Sequence, residues 1–128
     1  MLDTHIWIWN DLQPERLSSQ VSQELASAKN DLWLSPVSIW ELALLVEKKR
    51  IRLNQEFQLW VTGSVRDLEL KEAPFTWDAA NELRSTVLGY GDPTDRFLVA
   101  TARAYDMTLV TADERILCVP NLKLLPNV

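Results

Sequence analysis

Gly91-Asp92-Pro93-Thr94-Asp95-Arg96-Phe97-Leu98-Val99-Ala100-Thr101-Ala102 is the stretch of this 128-residue chain from which the fold is best read. Asp92 has the side chain of a helix N-cap, and Pro93 suits the first helical position, where a missing N–H costs nothing. Asp95 adds an acid to the first turn, where the helix dipole favours it. The apolar run that follows carries the helix to about Tyr105. Next come Met107–Thr111, apolar and β-prone, and a short helix at Asp113–Leu117. A strand between two helices fits a parallel sheet with helices packed on its faces.

The same alternation extends to both ends. Met1–Leu2 reads as the stub of a strand and Thr4–Trp9 as a helical turn. Pro14 opens a helix expected to run to Lys29, with Leu17, Val21 and Leu25 on one face. Leu32–Leu34 is a strand, and Ser35–Pro36 repeats the N-cap-plus-proline signal before a helix from Val37 to Lys49. A helix over Phe57–Val65, a strand over Leu68–Ala73 and a helix over Thr76–Arg84 follow. A turn is expected at Gly89–Tyr90–Gly91 and a last strand at Leu122–Leu125. No repeat or linker interrupts the chain, so residues 1–128 are expected to form one α/β domain with a central parallel β-sheet flanked by α-helices. A central strand should have about five residues, so either further residues precede Met1, which is the expectation, or the strand is abbreviated.

Composition narrows the class. Hydrophobic residues make up 47% and charged residues 24%, enough apolar material for a core. By the scaling of surface with mass, a chain this size buries about two-thirds of its extended surface. The single Cys118 excludes an intramolecular disulfide and a multi-cysteine zinc site. No signal peptide or membrane span is expected, which points to the cytoplasm. Thirteen Lys and Arg against eighteen Asp and Glu give a net charge of −5 and a pI near 4.8. That balance votes against a nucleic-acid binder, unless several carboxylates share a site whose sign a divalent cation reverses.

Such a set of carboxylates exists. In parallel sheets, sites form beyond the carboxyl ends of the strands. Asp3 follows the first strand and Asp113 follows Met107–Thr111, while Glu41 and Asp95 lie in helices that begin at strand ends. Brought together they would repel strongly, and a cation between them would keep them ionised. Oxygen donors of this kind suit Mg²⁺ or Mn²⁺ rather than zinc, and the matching chemistry is attack of water on a phosphodiester. Plainer roles exist for each residue. Asp92 and Asp95 fit a helix start. Thr111-Ala112-Asp113-Glu114 spells a capping box with Glu114 as the reciprocal partner, which leaves Asp113 pointing at the strand-end crevice. Glu41 stands in a helix that is apolar nearly all round, where a carboxylate is costly unless liganded or paired, for instance with Lys48.

These residues fall in a familiar order. Asp3-Thr4-His5, Leu34-Ser35-Pro36-Val37-Ser38-Ile39-Trp40-Glu41, the Gly91–Ala102 stretch and Leu109-Val110-Thr111-Ala112-Asp113 resemble the four acidic motifs of PIN domains, more narrowly those of the VapC-type toxins of bacterial toxin–antitoxin pairs. The resemblance covers essentially the whole chain. It implies a divalent-metal-dependent endoribonuclease using Mg²⁺ or Mn²⁺, with Asp3, Glu41, Asp95 and Asp113 as catalytic metal ligands. Asp92 would be a neighbour in the site, and the Thr111 hydroxyl would orient it. It also implies a cognate antitoxin, an RNA substrate and a homodimer.

Other features add less. His5 is the only histidine, which excludes a histidine pair for acid–base catalysis, and it is expected to pack beside the first strand. No nucleophile elbow or phosphate-cradling glycine loop is present. Lys48-Lys49-Arg50 and Arg52 form the one dense basic run, at a helix end where cations are favoured anyway. Arg96 could contact RNA phosphate or pair with a neighbouring acid. Most of the six tryptophans (Trp7, Trp9, Trp33, Trp40, Trp60 and Trp77) are expected in the core or an interface. A phospho-accepting receiver domain would need paired acids after the first strand, and only Asp3 stands there. The remaining alternative is a PIN-like module that binds antitoxin or RNA without cutting.

Overall fold

The shortest expected strand occupies the middle of the sheet. In the computed structural model, which describes residues 1–89 and 91–128, Met1–Asp3 lies between two parallel ladders. One pairs β1 (Trp33–Leu34) with β2 (Lys71–Glu72), with Trp33 opposite Lys71. The other pairs β3 (Leu109–Thr111) with β4 (Leu124–Pro126), with Leu109 opposite Leu124. The Leu2 amide donates to the Trp33 carbonyl at 3.0 Å, and the Asp3 amide donates to the Val110 carbonyl at 2.9 Å. The Val110 amide in turn donates to the Met1 carbonyl at 2.9 Å, closing a parallel bridge between Leu2 and Val110. The spatial order is therefore β2, β1, Met1–Asp3, β3, β4. The expected α/β fold around a parallel sheet is observed, with strands of only two or three residues.

Side chains alternate across a strand, and the two apolar clusters follow that alternation. Leu2 and Val110 join Ile6, Trp7, Val21, Leu42 and Trp60 in one cluster. Met1 and Leu109 join Leu98, Val99 and Ile116 in the other. Helices α1 (Thr4–Leu12), α2 (Ser19–Ala26), α3 (Pro36–Glu47) and α4 (Phe57–Asp67) supply the first cluster, and α6 (Pro93–Ala104) and α7 (Glu114–Leu117) the second. Helix α5 (Trp77–Glu82) packs on α6. Trp7 and Trp60 meet at 5.1 Å between ring centroids, and both indole N–H groups are satisfied, by the Ser64 hydroxyl and the Asp11 carboxylate. Both rings are buried, as the tryptophan pattern suggested, whereas Trp40 and Trp77 are exposed.

Three expected elements need correction. The helix expected from Pro14 to Lys29 is broken: Pro14–Arg16 is a 3₁₀ turn, Leu17 is extended, and α2 begins only at Ser19. The Ser18 hydroxyl accepts from the Val21 amide at 3.2 Å and so starts a new helix where periodicity alone reads through. The strand expected over Leu68–Ala73 shrinks to Lys71–Glu72. Helix α4 runs on to Asp67, Leu68 caps it, and Glu69 turns the chain with φ 50°. The last strand starts at Leu124 rather than Leu122, after a left-handed turn at Asn121. Tyr90, in the turn expected at Gly89–Tyr90–Gly91, lies outside the described residues.

Because Leu2 is 1% exposed at the join of the two ladders, Leu2→Ala should lower the unfolding free energy by about 2–5 kcal/mol in urea denaturation. Val128→Ala, at an 89% exposed position, should change it by less than about 0.5 kcal/mol. Equal midpoints for the two variants would contradict the central place given to Met1–Asp3.

Candidate active site

Parallel strands end on one edge, and residues just past two of those ends, with others from helices α3 and α6, build the candidate site. Asp3 occupies the N-cap position of α1 yet makes no capping bond there. Its Oδ2 instead accepts from the Thr111 hydroxyl at 2.6 Å, and the side chain is buried. The Thr111 oxygen also accepts from the Asp113 amide at 3.0 Å, so one hydroxyl ties together the acids after the first strand and after β3. Asp113 itself caps α7, its Oδ1 accepting from the Arg115 amide at 2.9 Å. The capping box expected from Thr111 to Glu114 is thus corrected. The helix starts one residue past Asp113, and the shorter Asp side chain takes the amide two residues on.

Glu41 comes from the middle of α3. That helix is capped by Ser35, whose hydroxyl accepts from the Val37 amide at 3.1 Å. It is also locked to α1 by a buried hydrogen bond from the Thr4 hydroxyl to the Ser38 hydroxyl at 2.9 Å. The partner facing Glu41 is His5, with Nδ1 4.0 Å from Oε1; Lys48 is exposed at the C-cap of the same helix. His5, expected to pack beside the first strand, is instead exposed on the site's wall. Asp92 caps α6 by accepting from the Thr94 amide at 3.1 Å, and Asp95 is buried in the first turn.

Asp3, Glu41, Asp92, Asp95 and Asp113 line one cavity of about 200 Å³, together with His5, Trp9, Ala112 and Arg115. A larger cavity of about 440 Å³ lies around Met1, Trp33 and Leu125, where Glu24 and Asp31 are the only carboxylates among the described residues. Chemistry, rather than size, therefore selects the smaller one. Arg96 is turned away from the acids: its Nε donates to the Thr86 carbonyl at 2.8 Å and its Nη2 to the Leu83 carbonyl at 2.6 Å.

Burial and crowding raise two of these acids, and a neighbouring cation lowers a third. Burial pushes the Asp3 pKa up, only partly countered by the Thr111 hydroxyl and by His5, while Asp113 pushes it further. Glu41 is raised for the same reason, against a hydrogen bond from Thr94, and Asp3 and Asp92 add repulsion. Asp113 moves the other way, because the Arg115 guanidinium holds its carboxyl below the usual carboxylate range. The donors are all hard oxygens, which matches Mg²⁺ or Mn²⁺, and a cation would relieve the cost of ionising Asp3 and Glu41. Among the described residues no group of three or more His, Cys, Asp or Glu side chains is arranged to hold a metal ion as it stands.

The order of acids, the parallel edge and the single cavity agree with a match of residues 1–121 to the family model of the PIN domain. The chain belongs to the PIN-domain family. Over 121 residues this PIN protein is 32% identical to Ribonuclease VapC22 of Mycobacterium tuberculosis, an alignment covering 91% of this chain and 88% of the relative. Its fold resembles VapBC2 from Rickettsia felis, solved bound to a promoter DNA fragment, with a TM-score of 0.71 and 21% identity. FitAcB from Neisseria gonorrhoeae gives a TM-score of 0.64 and 22% identity. Each of these two alignments covers 98% of this chain and 96% of the other. Among the described residues no helix is long and apolar enough to cross a membrane.

Two wall residues of this PIN domain, Trp9 and Arg115, were not expected at the site from the sequence. Trp9 follows His5 by one helical turn, and their rings lie 5.9 Å apart. Arg115 follows Asp113 by two residues, a spacing that lets a side chain fold back over a helix cap. Both spacings are visible in the chain, but neither shows which face turns to the cavity.

The pKa directions set a linkage prediction. A carboxyl with a raised native pKa binds its proton more readily folded than unfolded, so it destabilises the fold above that pKa and ceases to do so as pH falls. Asp3→Asn should therefore raise the unfolding free energy at pH 7, by about 1 kcal/mol. The gain over the parent should shrink as the pH is lowered toward 4. Denaturant titrations at several pH values would show it; a variant less stable than the parent at pH 7 would contradict the account.

Proposed function

We propose that this PIN-domain protein is a divalent-metal-dependent endoribonuclease, acting as the toxin of a toxin–antitoxin pair and cutting single-stranded or looped RNA in the cytoplasm. The observation that carries the reading is the gathering of Asp3, Glu41, Asp95 and Asp113, from four separate parts of the chain, on one cavity beside Asp92. The 32% identity to a protein named as a ribonuclease supports it. The motif resemblance to VapC-type toxins is what suggests an antitoxin partner and a homodimer, and residues 1–128 are taken as one domain.

In this reading Asp3, Glu41, Asp95 and Asp113 would hold Mg²⁺ or Mn²⁺, which when bound offsets phosphate charge and makes water a stronger nucleophile at neutral pH. The chain's own part is preorganisation. Thr111 fixes Oδ2 of Asp3, leaving the other carboxylate oxygen to serve as a donor. The Asp92 cap sets the first turn of α6 and with it the direction of Asp95. The hydroxyl bond between Thr4 and Ser38 keeps α3, and so Glu41, from sliding on α1. Like charges crowded this closely would repel a phosphodiester, so the cavity accepts RNA only when its carboxylates are neutralised.

Purified protein should cleave single-stranded RNA with Mg²⁺ or Mn²⁺ and stop when EDTA is added. Asp95→Asn and Asp3→Asn should each reduce cleavage by at least about 100-fold, since even residues that only support ligands cost 10- to 100-fold. Circular dichroism should show both variants folded. Variants that cut as fast as the parent would remove these acids from the mechanism.

A further inference from the structure

The acid cavity already holds a positive charge supplied by the chain. Arg115, in the single turn of α7, folds back so that its Nε lies 3.1 Å from Asp113 Oδ1 and its Nη2 2.7 Å from Oδ2. The same Nη2 is 3.7 Å from Oδ2 of Asp95, on a different helix. A pair with Asp113 alone would serve only the start of α7. The reach to Asp95 is what lays the guanidinium along the wall of the cavity.

Resting on the reading of Asp95 and Asp113 as metal-holding carboxylates, we propose that Arg115 is a resident counter-ion that competes with the divalent cation. The arm engages both oxygens of Asp113 and one of Asp95, and these acceptor-only groups are what a hard cation would use. A guanidinium and a divalent ion cannot share them closely without like-charge repulsion. The arm must therefore swing out before the ion settles. Its side chain is 53% exposed, so solvent can take over its hydrogen bonds when the arm leaves. Once out, the arm stands beside a loaded site with a planar donor fork suited to phosphate. Arg115 is in this account a positioning and gating residue, which keeps the empty acid cluster tolerable and gives it up on loading.

Mn²⁺ binding to the full chain, followed by calorimetry, separates the possibilities. Arg115→Gln should bind Mn²⁺ about fivefold more tightly than the parent, the equivalent of about 1 kcal/mol, and Asp3→Asn should bind more weakly. In the parent, Mg²⁺ should move the Arg115 Nε–H resonance toward that of a solvated arginine. Equal or weaker binding by folded Arg115→Gln, with Asp3→Asn still impaired, overturns the gating role and leaves the metal site standing. No Mn²⁺ binding by any of the three overturns both. If Arg115→Gln does not fold, the resonance decides: movement on Mg²⁺ binding supports the role, and a stationary signal from a metal-bound parent overturns it.

Discussion

Five carboxylates share a cavity of about 200 Å³, and the electrostatic cost of that crowding shapes most of what surrounds it. Burial alone disfavours the ionised forms of Asp3 and Glu41, and their neighbours' charges add to the penalty. The fold offsets this locally. Thr111 donates to Asp3, His5 faces Glu41, Thr94 contributes a hydrogen bond to Glu41, and Arg115 spans Asp113 and Asp95. A core of this size could be built more stably without such a cluster, because well-packed apolar groups often outperform buried charge. The site is therefore a place where the sequence gives up stability, as functional sites commonly do.

Topology supplies a second offset. In a parallel sheet strands run into helices that start on the same edge, as α1, α3 and α7 do here, and α6, which follows α5, brings its N-terminus to the same cavity. Asp3, Ser35, Asp92 and Asp113 are the N-cap residues of α1, α3, α6 and α7. The partial positive charge of a helix start stabilises a nearby carboxylate by roughly 0.3–1 kcal/mol. Capping and charge gathering thus use the same residues, and capping alone explains Asp92 and Asp113 in part but leaves Asp3 unexplained. Asp3 sits at a cap position, makes no capping bond, and spends its Oδ2 on a threonine 108 residues away.

That division marks how far the sequence could be read. The acids after strands, and the two Ser–Pro and Asp–Pro helix starts, were legible because their chemistry is local: a cap signal needs only four consecutive residues. The α/β alternation was legible for the same reason. The break at Leu17–Ser18 was not, because Leu17, Val21 and Leu25 are all buried and keep helical spacing across a kink that periodicity does not see. The capping box at Thr111 misled because its pattern matches, while the Thr111 hydroxyl had a long-range use in Asp3 that no local window contains. Trp40 and Trp77 remain exposed, since nothing in a single chain says which aromatic rings it buries itself.

The acidic balance, which argued against nucleic acid at first reading, looks different once the charges are located. Five of the eighteen acids line one cavity, so the formal charge of −5 overstates the negative field that the rest of the surface presents. The basic run at Lys48, Lys49 and Arg50 is exposed at the C-terminal end of α3, the end opposite the strand edge where its Ser35 cap lies. A polyanion approaching the cavity therefore depends on what neutralises those five acids. Among the described residues Arg115 and His5 are the basic side chains that line the cavity, fewer than the carboxylates beside them. Net charge is thus a poor guide for this molecule, because its acids are gathered unevenly.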